Sequence, residues 1–159
     1  RKSYFRDSEV VTRGVERSLM LKNVFGIAGT ALNAQTIRLN TTASNLANAG
    51  SVSGLEDEAY RAKRPVFKAL VDQADLNAGF QSLGGVKVNE IVDTIDPVRQ
   101  VHDPGNPEAN EEGFIWLSNV NEVTEMVEMV AASRSFQNNV EVVNTAKQLM
   151  MRTLDITKA

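Results

Sequence analysis

The sequence predicts a mainly α fold with a small β insert: two long terminal helices forming an antiparallel coiled-coil-like hairpin around a β-rich middle segment. Three observations carry that prediction. Apolar residues step by three and four over 24–49 and again over 119–159, the spacing of one helix face. All four prolines (Pro65, Pro97, Pro104, Pro107) lie between those stretches, and no glycine or proline follows Gly113. Residues 50–117 instead alternate β-branched and aromatic runs with turn formers. The division expected is an N-terminal extension (1–19), a helical core (20–49 with 118–159) and a β-rich insert (50–117).

Residues 1–19 carry five basic and three acidic side chains and no sustained period, so they read as an extension, partly disordered and helical only near its end, with Met20 a candidate internal start. From Phe25 the spacing is regular: Phe25, Ala28, Leu32, Gln35, Leu39, Thr42, Leu46 and Ala49 form a heptad-type seam. A second stripe, Val24, Ile27, Ala31 and Ala34, runs beside it. Lys22 and Arg38 are the only charges between Leu21 and Gly50, which leaves this helix poorly suited to free solvent, and Gly50 is the expected C′ stop.

In the middle, 51–58 reads as a polar loop and 59–71 as a strand, with Pro65 suggesting an edge or a bulge. A turn-rich link follows over 75–85. Residues 86–95 read as a strand with one break in its alternation, 103–113 as a surface loop, and 114–117 (FIWL) as a short apolar strand. The last helix is expected to start at an Asn119 N-cap with Glu122 in capping-box spacing. Glu122, Glu125 and Glu128 near its start and Lys147, Arg152 and Lys158 near its end complement the helix dipole. Its seam is read as Met126, Val130, Ser133, Phe136, Val140, Val143, Lys147, Met150 and Leu154. At 1.5 Å per residue such a helix is roughly 60 Å long.

A helix of that length exceeds what one shorter partner covers. Val24, Ile27, Ala31, Val123, Val127, Val142 and Leu149 are left over as candidates for another surface. Burying such a side chain is worth about 1.5–3 kcal/mol, so the leftover stripe predicts an assembling protein. Gln35 and Thr42, polar in the seam, cost stability and suit the fixing of register.

Composition excludes several functions. A net charge of −3 supplies no concentrated basic face for nucleic acid. With no cysteine there are no disulfides or thiolate metal sites. No run approaches the roughly 18 apolar residues of a membrane span, and 1–19 lack the apolar core of a cleaved Sec signal. His102, the only histidine, has no second histidine to complete a zinc site. The acidic loops around Glu56–Glu58 and Glu108–Glu112 lack the spacing of a calcium loop. Gly84-Gly85 is followed by no GK[ST], and no serine has a base partner in the pattern. No catalysis, no cofactor, no metal and no small-molecule substrate are expected.

The stretch LNTTASNLANAGSVSG (39–54) resembles the SNLAN-type signature that ends the first helix of the flagellar axial proteins, the rod, hook and hook-associated subunits. RLNTTASNLANA, AYRAKRPVF, DPGNPEANEEGFIWLSNVN and EMVEMVAASRSFQNNVEVVNTAKQLMMRTLDI, in that order, are similar to the proximal-rod branch over about 20–159. The GFK that follows this motif in distal-rod and hook siblings is absent. The resemblance implies a structural subunit of the basal-body rod, a drive shaft passing torque from motor to hook, with paired terminal helices packed inward in a helical tube. It also implies location in the rod (periplasmic where there is an outer membrane) and export by the flagellar type III apparatus without a cleaved Sec signal. Implied partners are copies of the chain, other rod proteins, the rod-base adapter and the export apparatus.

Taken with the stripes, the resemblance places expected subunit contacts at Ile27, Ala31, Leu32, Leu39, Asn45, Leu46 and Asn48 on the first helix. On the last helix they fall at Met126, Val130, Phe136, Asn139, Val140, Val143, Met150 and Leu154. Asn45 and Asn48 are suited to bond last-turn carbonyls or a neighbouring chain, and the amides beside Phe136 to bridge subunits. The competing readings are a different rod subunit, a secreted coiled-coil adaptor or effector, and an enzyme with a pocket in 50–117.

Overall fold

The computed structural model describes the backbone of residues 3–70 and 84–158 and the side chains of 23–70 and 84–155. Most of the expected link over 75–85 lies outside the described residues. Two helices flank a β-containing middle: α1 (Ser3–Ala47), β1 (Val52–Ser53), a single 3-10 turn (Glu56–Glu58), β2 (Lys63–Ala69), β3 (Val86–Asp93), β4 (Arg99–His102), β5 (Phe114–Leu117) and α2 (Glu122–Lys158). Helix α1 begins at Ser3, within the stretch the sequence reading set apart as an extension.

Both helix ends differ in detail from expectation. The C-terminus of α1 does not use a left-handed glycine: among the described residues only Gly113 has positive φ (80°). The helix instead tightens into i→i+3 turns, with Asn48 N–H shared between the Ser44 and Asn45 carbonyls and Ala49 N–H on Leu46 O. The Asn48 side-chain amide then donates to the Ser44 carbonyl at 2.8 Å, satisfying a last-turn acceptor that Gly50 was expected to handle. At α2 the N-cap is Asn121, not Asn119: its Oδ1 accepts the Thr124 N–H at 3.0 Å. Asn119 is employed elsewhere. Its Oδ1 accepts Ala62 N–H at 2.7 Å, and its amide donates to Thr94 Oγ1 and to the Asp96 carbonyl at 3.0 and 2.8 Å.

The strands form two small antiparallel sheets. In the three-stranded sheet the order is β1-β5-β4, with Val52 opposite Leu117, Ser53 opposite Trp116 and Val101 opposite Ile115. Buried Ile115 anchors its central strand. Strand β4 (RQVH) was not foreseen, because one apolar residue in four gives no alternation; pairing with β5 makes it a strand. The loop between them turns at Gly113, where a Cβ would meet His102 Nε2 and Pro104 Cβ at 3.1 Å. Asn110 Oδ1 accepts the Glu112 and Phe114 N–H groups and organises the turn.

β2 and β3 form the second sheet. Thr94 N–H bonds Ala62 O and Leu70 N–H bonds Gly85 O. Eight steps on one side face nine on the other, so β3 carries one extra residue, the break seen in its alternation. Ala62 and Leu70 turn their groups toward β3, so Lys63 and Pro65 turn theirs outward, and Pro65 withholds a donor from an open edge.

The chain divides into two compact units. The first joins residues up to 33, 69–87 and 136 onward; there Val86 N–H bonds Thr30 Oγ1 at 3.2 Å, and Ala28 and Ala146 are buried. The second joins 34–68 with 88–135 and buries Ala34, Ala59, Ala62, Ile115 and Ala132. Among the described residues the buried apolar side chains are thus mostly alanines, which keep backbones close but bury little area each.

Candidate assembly surface

The SNLAN stretch sits in the second unit, at the end of α1. Asn45 is completely buried, and its amide meets its full hydrogen-bonding capacity inside the protomer. Nδ2 donates to Lys63 O at 2.9 Å and to Glu125 Oε2 at 3.1 Å. Oδ1 accepts Lys63 N–H at 2.8 Å and Tyr60 O–H at 3.0 Å. Toward Lys63 the amide behaves as a neighbouring peptide would, donating to the carbonyl and accepting from the N–H of one outward-facing β2 residue. It therefore pairs the Lys63 end of the β2 edge, two residues before Pro65 withholds its own donor.

Glu125, 1% exposed, completes the cluster. The Arg64 guanidinium reaches its Oε1 at 2.5 Å and, at 3.4 Å, its Oε2. A buried carboxylate is tolerated because a forked cation and an amide donor replace its water. Three residues before the cluster's Glu125 is Glu122, and three after it Glu128 pairs with Arg38. Among the described residues, Gln35 Oε1 is buried without a hydrogen-bond partner. Lys63 Nζ pairs with Asp93 at 2.7 Å, and this hydrogen bond holds its pKa above the ordinary 10.5.

The seam expected on α1 lies inward: Ala28 and Thr42 are buried, and Phe25, Leu32, Gln35, Leu39, Leu46 and Ala49 half-buried. The seam expected on α2 is partly corrected. Phe136, Val143 and Met150 are half-buried as expected, but Met126, Val130, Val140 and Leu154 are exposed. The positions one residue earlier (Glu125, Met129, Asn139, Thr153) are buried or half-buried in their place. Hydropathy alone chose the wrong neighbours, because the carboxylate of Glu125 has partners inside and the apolar side chains beside it do not. Val123 and Val127 are 72% and 63% exposed, and Val142 and Leu149 are exposed as well.

Of the remaining expected contact residues, Ile27 is exposed, and Ala31, Asn48 and Asn139 are half-buried. Asn45 offers no free hydrogen-bonding group. Shallow grooves follow the exposed residues on α2; one is lined mainly by polar side chains (Glu141, Asn144, Lys147, Gln148, Met151 and Arg152), and two are more apolar. One of the apolar pair, of about 320 Å³ in the second unit, is lined by Met126, Val127, Val130, Ala131 and Arg134. The other, of about 380 Å³ in the first unit, is lined by Val24, Asn138, Glu141, Val142, Thr145, Ala146 and Leu149. Among the described residues no three metal-ligating side chains cluster, and no helix is long and apolar enough to cross a membrane.

Comparisons with known proteins bear on the same two helices. The family model described as "Flagella basal body rod protein" matches residues 25–55, and "Flagellar basal body rod FlgEFG protein C-terminal" matches 111–156. The flagellar basal-body rod protein FlgC of Salmonella typhimurium is 48% identical over 138 residues, covering 87% of this chain and 98% of the relative. FlgC of Yersinia enterocolitica is 47% identical over the same length. FlgC of Buchnera aphidicola subsp. Acyrthosiphon pisum is 44% identical over 142 residues, covering 88% and 100%. The first model ends just past the Asn45–Asn48 cap and the second covers α2 as far as residue 156. The chain belongs to the FlgC family of flagellar basal-body rod proteins.

Proposed function

We propose that this protein is a non-enzymatic structural subunit of the flagellar proximal rod, polymerising through its terminal helices into the shaft that carries torque from motor to hook. One observation carries the reading. Inside, α2 buries alanines and a carboxylate, while Val123, Met126, Val127 and Val130 stand exposed on the same helix. Half-covering an apolar side chain stabilises by about 1 kcal/mol, so four of them reward association and not the lone protomer.

The hairpin part of the reading is supported by two contacts: Arg38 meets Glu128, and Asn45 meets Glu125, so residue numbers rise on one helix as they fall on the other. In this reading 20–49 and 118–159 form the axial core, 50–117 the insert, and 1–19 an extension. Other rod proteins, the rod-base adapter and further copies are the neighbours. The chain is exported by the type III apparatus without a cleaved Sec signal and, where an outer membrane exists, crosses the periplasm as part of the rod.

The test is cryo-electron microscopy of purified basal bodies. Density for α1 and α2 lining the rod near its base is the expected result. Basal bodies lacking this chain would overturn the reading in favour of a secreted adaptor.

A further inference from the structure

Ile95 is the most exposed large apolar residue in the described chain, at 97%. Its turn is nevertheless held rigidly. Thr94 N–H bonds Ala62 O at 2.8 Å, the Asn119 amide grips Thr94 Oγ1 and the Asp96 carbonyl, and Arg61 Nη1 reaches that same carbonyl at 3.2 Å. A β-branched side chain has few rotamers to lose, so a clamped turn presents it as a ready-made knob. Asp96 stands beside it in the chain.

The same unit carries a hole of matching chemistry: the α2 groove of Met126, Val127, Val130 and Ala131, ending at Arg134. Arg134 makes no ion pair among the described residues. We propose that Ile95 of one copy docks into the Met126–Ala131 groove of a second copy of this chain, with Asp96 facing Arg134 across the contact. Charge disfavours the Val24–Leu149 groove, whose Glu141 repels Asp96, and the further α2 groove along Glu141–Arg152 is lined mainly by polar and charged side chains that offer Ile95 no apolar hole. In a rod the contact is used head to tail, one knob in one hole, so it propagates from copy to copy; a reciprocal pair of the same contacts would stop at a dimer. The proposal rests on the rod reading, of which it names one partner and one contact.

The chain has no cysteine, so a single engineered pair reports the contact. Chain carrying Ile95→Cys and Val127→Cys is expected, after mild oxidation of isolated basal bodies, to form a covalent ladder of itself, while either single variant stays monomeric. Asp96→Lys or Arg134→Glu in that background is expected to cut the ladder at least fivefold, and both together to restore it. Incorporation into the rod without a chain-to-chain ladder overturns the contact and leaves the rod reading standing. So does a bridge to a different rod protein, or a charge swap that restores nothing. Absence of the chain from basal bodies overturns both.

Discussion

Asn45 is the residue on which most of the local structure converges. Its replacement by alanine would leave the Lys63 N–H and C=O, the Tyr60 hydroxyl and the Glu125 carboxylate short of partners, each buried loss costing about 1–3 kcal/mol before relaxation. We predict that Asn45→Ala destabilises the isolated protein by about 2–4 kcal/mol, read from urea unfolding. Gln35 is the opposite case. Its buried Oε1 has no partner, so Gln35→Leu is expected to raise stability by about 1 kcal/mol; a loss in the same assay would refute the idea that this amide is a net cost. For Lys63 the sign follows from the raised pKa. The contribution of its pair with Asp93 is fully present below pH 10.5 and is lost as the pH rises through the higher folded value. The urea midpoint of Lys63→Met should therefore differ from wild type near neutrality and converge with it at strongly alkaline pH.

At the scale of elements, the helix ends and one loop carry the testable energetics. Asn121→Ala removes the cap on the Thr124 N–H and is expected to cost about 1 kcal/mol. Asn119→Ala should act differently, loosening the hold on Ala62, Thr94 and Asp96, so amide exchange should rise at the 94–96 turn and not at the start of α2. The two asparagines share a residue type and lie two positions apart, and only the path of the insert tells the cap from the clamp. In β3 the break in alternation was legible as a pattern; that it is one extra residue against β2 became clear only from the partners of Leu70 and Thr94.

For the whole molecule, the proposed assembly separates folding from incorporation. Val127 is largely exposed, so Val127→Asp is expected to leave the stability of the isolated protein within about 0.5 kcal/mol while removing the chain from purified basal bodies. Leu46→Asp places an unpaired charge at a half-buried position and should lower both stability and incorporation. Equal incorporation of wild type and Val127→Asp would show that this face is not an assembly surface.

Periodicity and punctuation by themselves determined much of this protein: two long helices, a β-bearing middle, the inward seam of α1, and the leftover apolar residues at Val123, Val127, Val142 and Leu149. Those features follow from local backbone preference and from the spacing of apolar residues along one helix, both of which a linear reading contains. Tertiary structure alone decided which face of α2 turns inward, where Asn45 spends its four hydrogen bonds, and that RQVH is a strand. Each of these depends on a partner distant in sequence. Glu125 is buried because Arg64 and Asn45 arrive to satisfy it, and with that face of α2 turned inward Met126, the next residue, is left on the outside.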